Sequence, residues 1–147
     1  MDLDRTISPP YPAFYTRRDP SGAEFVLLDT GDAPDTAPLS RIVEDRTGYE
    51  ALLNHVHLFS GPIPPQRMAK AQTMALTAAR NLRDTLGRTF PGKRFAVFLT
   101  LNSEDGILRF HQLWPGEAPY YEIHGSVERD ADGMHTDIYV FYTGDAE

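Results

Sequence analysis

An α+β fold is what this sequence predicts, with two or three helices packed on one face of a four- to five-stranded, mainly antiparallel sheet. Three observations carry it. A 22-residue amphipathic helix pattern runs from Pro65 to Leu86. Two alternating segments, 94–101 and 107–114, flank the turn signal Ser103-Glu104-Asp105-Gly106. Two more, 120–127 and 134–142, flank Asp130-Ala131-Asp132-Gly133. Helix followed by hairpins, rather than alternating strand and helix, points to an antiparallel sheet with helices laid against it.

The elements follow in chain order. At 147 residues the chain has the size of one domain. Twelve prolines, six in the first 40 residues, make residues 1–22 an expected coil arm, with Tyr11, Phe14 and Tyr15 to pin it on the body formed by 23–147. Glu24–Thr30 is a short strand candidate, 31–38 a loop by composition, and 39–45 one or two helical turns. Thr47-Gly48-Tyr49-Glu50 fits a capping box and predicts a helix over 48–59, with Tyr49, Leu52, Leu53, Val56 and Phe59 on one apolar face and Gly61-Pro62 as the stop; LLNHVHLF also reads as a strand.

The next helix begins after Pro64-Pro65. It presents Met68, Ala71, Ala75, Ala78, Leu82 and Leu86 on one side, where alanine allows close approach to a sheet, and Gly87 stands where a C-terminal glycine belongs. In the first hairpin Asp105-Gly106 is expected to supply positive φ. Alternation along the strands assigns Phe95, Val97, Leu99, Leu101, Leu108, Phe110, Trp114, Tyr121, Ile123, Val127, Ile138 and Val140 to the helices. The opposite, outward face then carries Phe98, Arg109, His111, Tyr120, Glu122, His124, Asp137, Tyr139 and Phe141.

No cysteine is present, which excludes a disulfide framework, thiolate metal sites and a cysteine nucleophile. The first twelve residues lack the basic start and apolar run of a signal peptide, and no segment reaches the roughly 18 apolar residues of a membrane span, so a cytoplasmic protein without a membrane partner is expected. The formal charge of −7 is uneven: residues 1–50 sum to −5, 62–94 to +6 and 115–147 to −7. Such a balance disfavours nucleic acid and favours a basic protein partner. Arg67, Lys70, Arg80 and Arg83 fan around the polar half of their helix, as a solvated face does.

His55-Val56-His57 is the pattern that draws a metal reading. On a helix, however, the two imidazoles stand about 200° apart and cannot chelate one ion, so no metal site and no cofactor is expected. His111, Glu122 and His124, with Arg109 and Asp137 nearby, form the one cluster able to support general acid–base work if the registers align. No G-x-G-x-x-G, P-loop, EF-hand loop, H-E-x-x-H or G-x-S-x-G occurs. The aromatic loop 114–121 adds contact residues of the kind enriched at binding hot spots.

The expectation is a small non-enzymatic binding protein, such as an immunity or inhibitor protein that neutralises a bacterial toxin, gripping its partner with Arg109, His111, Glu117, Tyr120, Glu122, His124, Asp137 and Tyr139. The alternative is a small-molecule-binding or catalytic cone, cystatin-like or nuclear-transport-factor-like, lined by His111, Glu122 and His124. A homodimer burying Phe98, Tyr139 and Phe141 is the third reading. A deep concave pocket lined by those ionisable groups would favour the cone, and a flat open face would favour surface binding.

Overall fold

The computed structural model describes residues 14–28, 46–59, 61–119, 127–129 and 135–144. It has the α+β architecture, with two helices packed against a mainly antiparallel sheet. Strands β1 (Phe14–Arg18) and β2 (Glu24–Leu28) pair as a hairpin. Helix α1 (Arg46–Leu53) leads directly into β3 (His55–His57). A 3-10 turn (Pro65–Arg67) opens α2 (Met68–Thr89), followed by β4 (Phe95–Leu101), β5 (Gly106–Gln112), β6 (Val127–Arg129) and β7 (His135–Tyr142). The main sheet runs β3-β5-β4-β7-β6, and every pairing is antiparallel.

The long helix lies as its pattern predicts. Ala71, Ala75, Ala78, Ala79, Leu82 and Leu86 are buried, and the alanines let the helix axis come close to Phe95, Val97, Leu99, Leu108 and Phe110 of the sheet. The helix does not stop at Gly87. It continues to Thr89, where the Phe90 amide donates to the Leu86 carbonyl at 2.9 Å and Pro91 prevents another turn.

Two expectations about the first half are corrected. Residues 14–18 are a strand rather than coil, because Asp19 closes the β1–β2 turn by accepting from the amides of Ser21 and Ala23. The expected helix over 48–59 ends at Leu53: His55–His57 is extended and pairs with 107–109 of β5, whose exposed backbone groups outweigh the local helical pattern. Helix α1 buries Tyr49 of the expected apolar face, with Leu53 packed against the same small cluster, but a second stripe is buried beside them. Thr47, Glu50, Ala51 and Asn54, spaced i, i+3, i+4, i+7, are buried, while Leu52 is 62% exposed.

The β4–β5 hairpin sets Leu99 opposite Leu108 and Val97 opposite Phe110, so these four share one face as expected. Its turn works differently. Gly106 is not among the described glycines with positive φ. Instead, Asn102 Oδ1 accepts from the amides of Glu104 and Asp105, and the glycine is needed because a Cβ there would stand 2.8 Å from the Phe59 ring.

The apolar core forms two clusters. Val26 and Leu28 of β2 join the larger one under α2, whereas Phe25 and Leu27, on the other side of that strand, pack with Tyr49, Leu53 and Trp114. Trp114 therefore does not share a core with Leu108 and Phe110, contrary to expectation.

Candidate functional site

The residues expected to make one outward face are distributed by the register over both sides of the sheet. Arg109 pairs with Phe98 and His111 with Ala96, so both lie on the side away from α2, as anticipated. That side is not open. Phe98 and Ala96 are fully buried and His111 is 1% exposed, its ring 5.5 Å from that of Phe98 and its Nδ1 donating to the Gln112 carbonyl at 2.6 Å. Burial holds the His111 imidazole below its ordinary pKa, against the opposing pull of that carbonyl and of Glu117.

Asp137 and Tyr139 point the other way. Their partners are Leu101 and Leu99, which places them on the α2 side; Tyr139 packs against the main core and its hydroxyl accepts from Gln72 Nε2 at 2.8 Å. Phe141, opposite Val97, is buried there too. The phase of β7 is the reverse of the expected one because both of its phases are apolar, and the two aromatic rings offer α2 more surface than Ile138 and Val140 do. Glu117 Oε1 accepts from the Thr47 amide at 2.8 Å, so it serves α1 as an N-terminal cap. Tyr120, Glu122 and His124 lie outside the described residues, and of the expected acid–base cluster only His111 and Arg109, with Asp137 across the sheet, can be placed.

A highly connected ionisable group among the described residues is Glu50, which sequence reasoning assigned to a capping box. Its carboxylate, fully buried, accepts four hydrogen bonds: from the Val26 amide at 2.9 Å, the Gln112 amide at 2.8 Å, Gln112 Nε2 at 2.8 Å and Trp114 Nε1 at 2.7 Å. Asn54 continues the bridge. Its Oδ1 accepts from the Leu28 amide, its Nδ2 donates to the Val26 carbonyl, and its own carbonyl accepts from the Phe110 amide. Together the two residues stand in for a strand between the edges of β2 and β5. Burial pushes the Glu50 carboxyl up from its ordinary range, against the four donors. The group is out of reach of solvent and its acceptors are occupied, so it is a structural junction. The signal that reveals it is the polar i, i+3, i+4, i+7 stripe of Thr47, Glu50 and Asn54 beside Ala51.

An exposed ionisable cluster sits at the β3 edge. Because β3 is a strand, His55 and His57 project to the same side, with ring centroids 5.6 Å apart. His55 Nδ1 donates to the Leu52 carbonyl at 2.7 Å, and His57 Nδ1 donates to Asp105 Oδ2. The divergence expected for a helical pair is thus removed. Among the described residues no three His, Cys, Asp or Glu side chains converge as a metal cage.

A second exposed feature is an open cleft of about 360 Å³ lined by Arg83, Asp84, Gly87, Arg88, Thr143 and Gly144. Asp84 pairs with Arg83 at 3.0 Å, and the Arg80 and Arg83 guanidinium groups lie over the Phe141 ring. No described helix is long and apolar enough to cross a membrane. Compared with protein-family models, curated proteins and solved structures, the chain matches none.

Proposed function

We propose that this chain is a non-enzymatic binding protein that acts by protein–protein contact, in the manner of an immunity or inhibitor protein that neutralises a toxin or effector. The observation that carries the reading is the filling of the sheet. The helix side of the sheet, where a cone would hold a ligand, is occupied by the alanine stripe of α2 against Phe95, Val97 and Leu99, and on the other side His111 is buried beside Phe98. A sheet filled in this way directs recognition to the outer surface. Phe98 and Phe141 are buried within one chain, so a second copy is not needed to cover them.

The charge pattern supports a basic partner. The described residues carry nine acidic and twelve basic side chains, so twelve of the 21 acidic residues and only two of the 14 basic ones fall in the remaining segments. Contact is assigned to those acid-rich stretches and to the residues Glu117, Tyr120, Glu122 and His124. His111, which is buried, and Arg109 and Tyr139, which hydrogen-bond to Ala51 and Gln72 within the fold, are left out of it.

The test is affinity capture from the native host, purification of the recovered protein, and calorimetry of the pair at low and high salt. The reading expects a stoichiometric complex that weakens as salt rises. A chain that binds no protein in this way, but is stabilised by a small metabolite whose effect His111→Ala abolishes, would establish the cone instead.

A further inference from the structure

We propose that His55 and His57 form a two-imidazole site for a divalent cation of the zinc, nickel or copper class, the remaining coordination positions being left to water. This goes beyond the binding role and stands independently of it.

Three geometric facts converge. First, the pairing of β3 with β5 places His55 opposite Arg109 and His57 opposite Ile107, so both imidazoles leave the same side of the sheet edge, while Val56 between them turns into the core. Second, each ring is fixed through one nitrogen. A backbone carbonyl and a carboxylate can only accept, so the contacts to Leu52 and Asp105 make Nδ1 the protonated nitrogen in both neutral rings. Nε2 is then the bare donor on each, and a carbonyl or carboxylate accepting from the other nitrogen is how metal-binding imidazoles are normally oriented. Third, the spacing suits one ion. With metal–nitrogen bonds of about 2.0–2.1 Å, two imidazoles on a tetrahedral ion have centroids roughly 5 Å apart, and these lie 5.6 Å apart before any ion draws them together.

The support is rigid and the site is open. The Leu58 amide donates to the Gly106 carbonyl at 2.7 Å, holding the end of β3, and Asp105 is fixed by its Oδ1, which accepts from the Gly106 amide at 2.7 Å. With both its oxygens engaged, Asp105 positions His57 and is not a third ligand. The nearest cation across the strands, Arg109, directs its Nη1 to the Ala51 carbonyl. The His57 side chain is 56% exposed, so an ion enters from solvent without opening the fold. Nitrogen donors without a carboxylate ligand select borderline metals over magnesium or calcium.

The experiment uses the full, tag-free chain titrated with zinc, nickel or copper salts by calorimetry, with magnesium as control, and long-range 15N spectra of the histidine side chains. One ion per chain should bind, moving the Nε2 signals of His55 and His57, and magnesium should give nothing. His55→Ala with His57→Ala should abolish the binding, while His124→Gln with His135→Gln should leave it intact. Asp105→Asn keeps the Oδ1 acceptor but loses the charge behind His57, and should weaken binding about 10- to 100-fold with an unchanged melting curve. Binding that survives the His55/His57 double variant, or that disappears with His124 and His135, would overturn the site.

Discussion

Glu50 shows at the scale of one residue how a polar side chain can organise an apolar junction. Removing it in Glu50→Ala leaves two backbone amides and the Trp114 indole without their acceptor and takes from Gln112 Nε2 one of its two, the Glu24 carbonyl remaining, and the expected loss is on the order of 3–5 kcal/mol by denaturant unfolding. The pH dependence has a definite sign. The folded carboxyl holds its proton to higher pH than the unfolded one, so its contribution is fully present below the unfolded glutamate pKa and is lost as pH rises through the folded value. Glu50→Gln should remove that slope. A different mechanism acts at Gly106, where a methyl group would press on the Phe59 ring: Gly106→Ala should cost about 1–3 kcal/mol through overpacking even though the backbone there is ordinary.

Among the elements, α1 separates the present account from a reading by apolar pattern. If the helix packed through its leucines, Leu52→Ala would be costly; with Leu52 exposed it should change stability by no more than about 0.5 kcal/mol. Asn54→Ala, a change of a polar residue, should cost roughly 2–4 kcal/mol, since it strips partners from both the Leu28 amide and the Val26 carbonyl. Thermal or denaturant melts of the two variants decide between them. The contrast also marks what was legible. The α2 stripe was readable because its burial follows a single period, and the β4–β5 hairpin because its turn is local. The phase of β7 was not, since HTDIYVFY is apolar on both sides and only pairing with β4 selects Tyr139 and Phe141 for the core. The α1–β3 boundary was hidden for a related reason: a capping-box sequence promised a long helix, but Glu50 is used across the fold and Glu117 supplies the cap. Of the candidate site, residue types were legible and accessibility was not, because His111 becomes buried and Arg109 is drawn to the Ala51 carbonyl only through contacts distant in sequence.

For the molecule as a whole, the two sides of the sheet are taken up by the chain's own side chains, and the acidic excess lies outside the described elements. Binding to a basic partner should therefore respond to charge more than to sheet chemistry: Glu122→Lys should slow association, whereas Tyr139→Phe, which loses only the contact with Gln72, should leave affinity unchanged when the two are compared by surface-based kinetics. The most direct test of the filled sheet is His111 itself, followed by side-chain NMR across the acidic range. A buried imidazole held below its ordinary pKa stays neutral while exposed histidine becomes charged, and its contribution to stability is lost as pH falls through that lower range. The account predicts late protonation of His111 that coincides with loss of the fold. A His111 that titrates as a free imidazole in the intact protein would mean that this face is open to solvent, and would contradict the account at its centre.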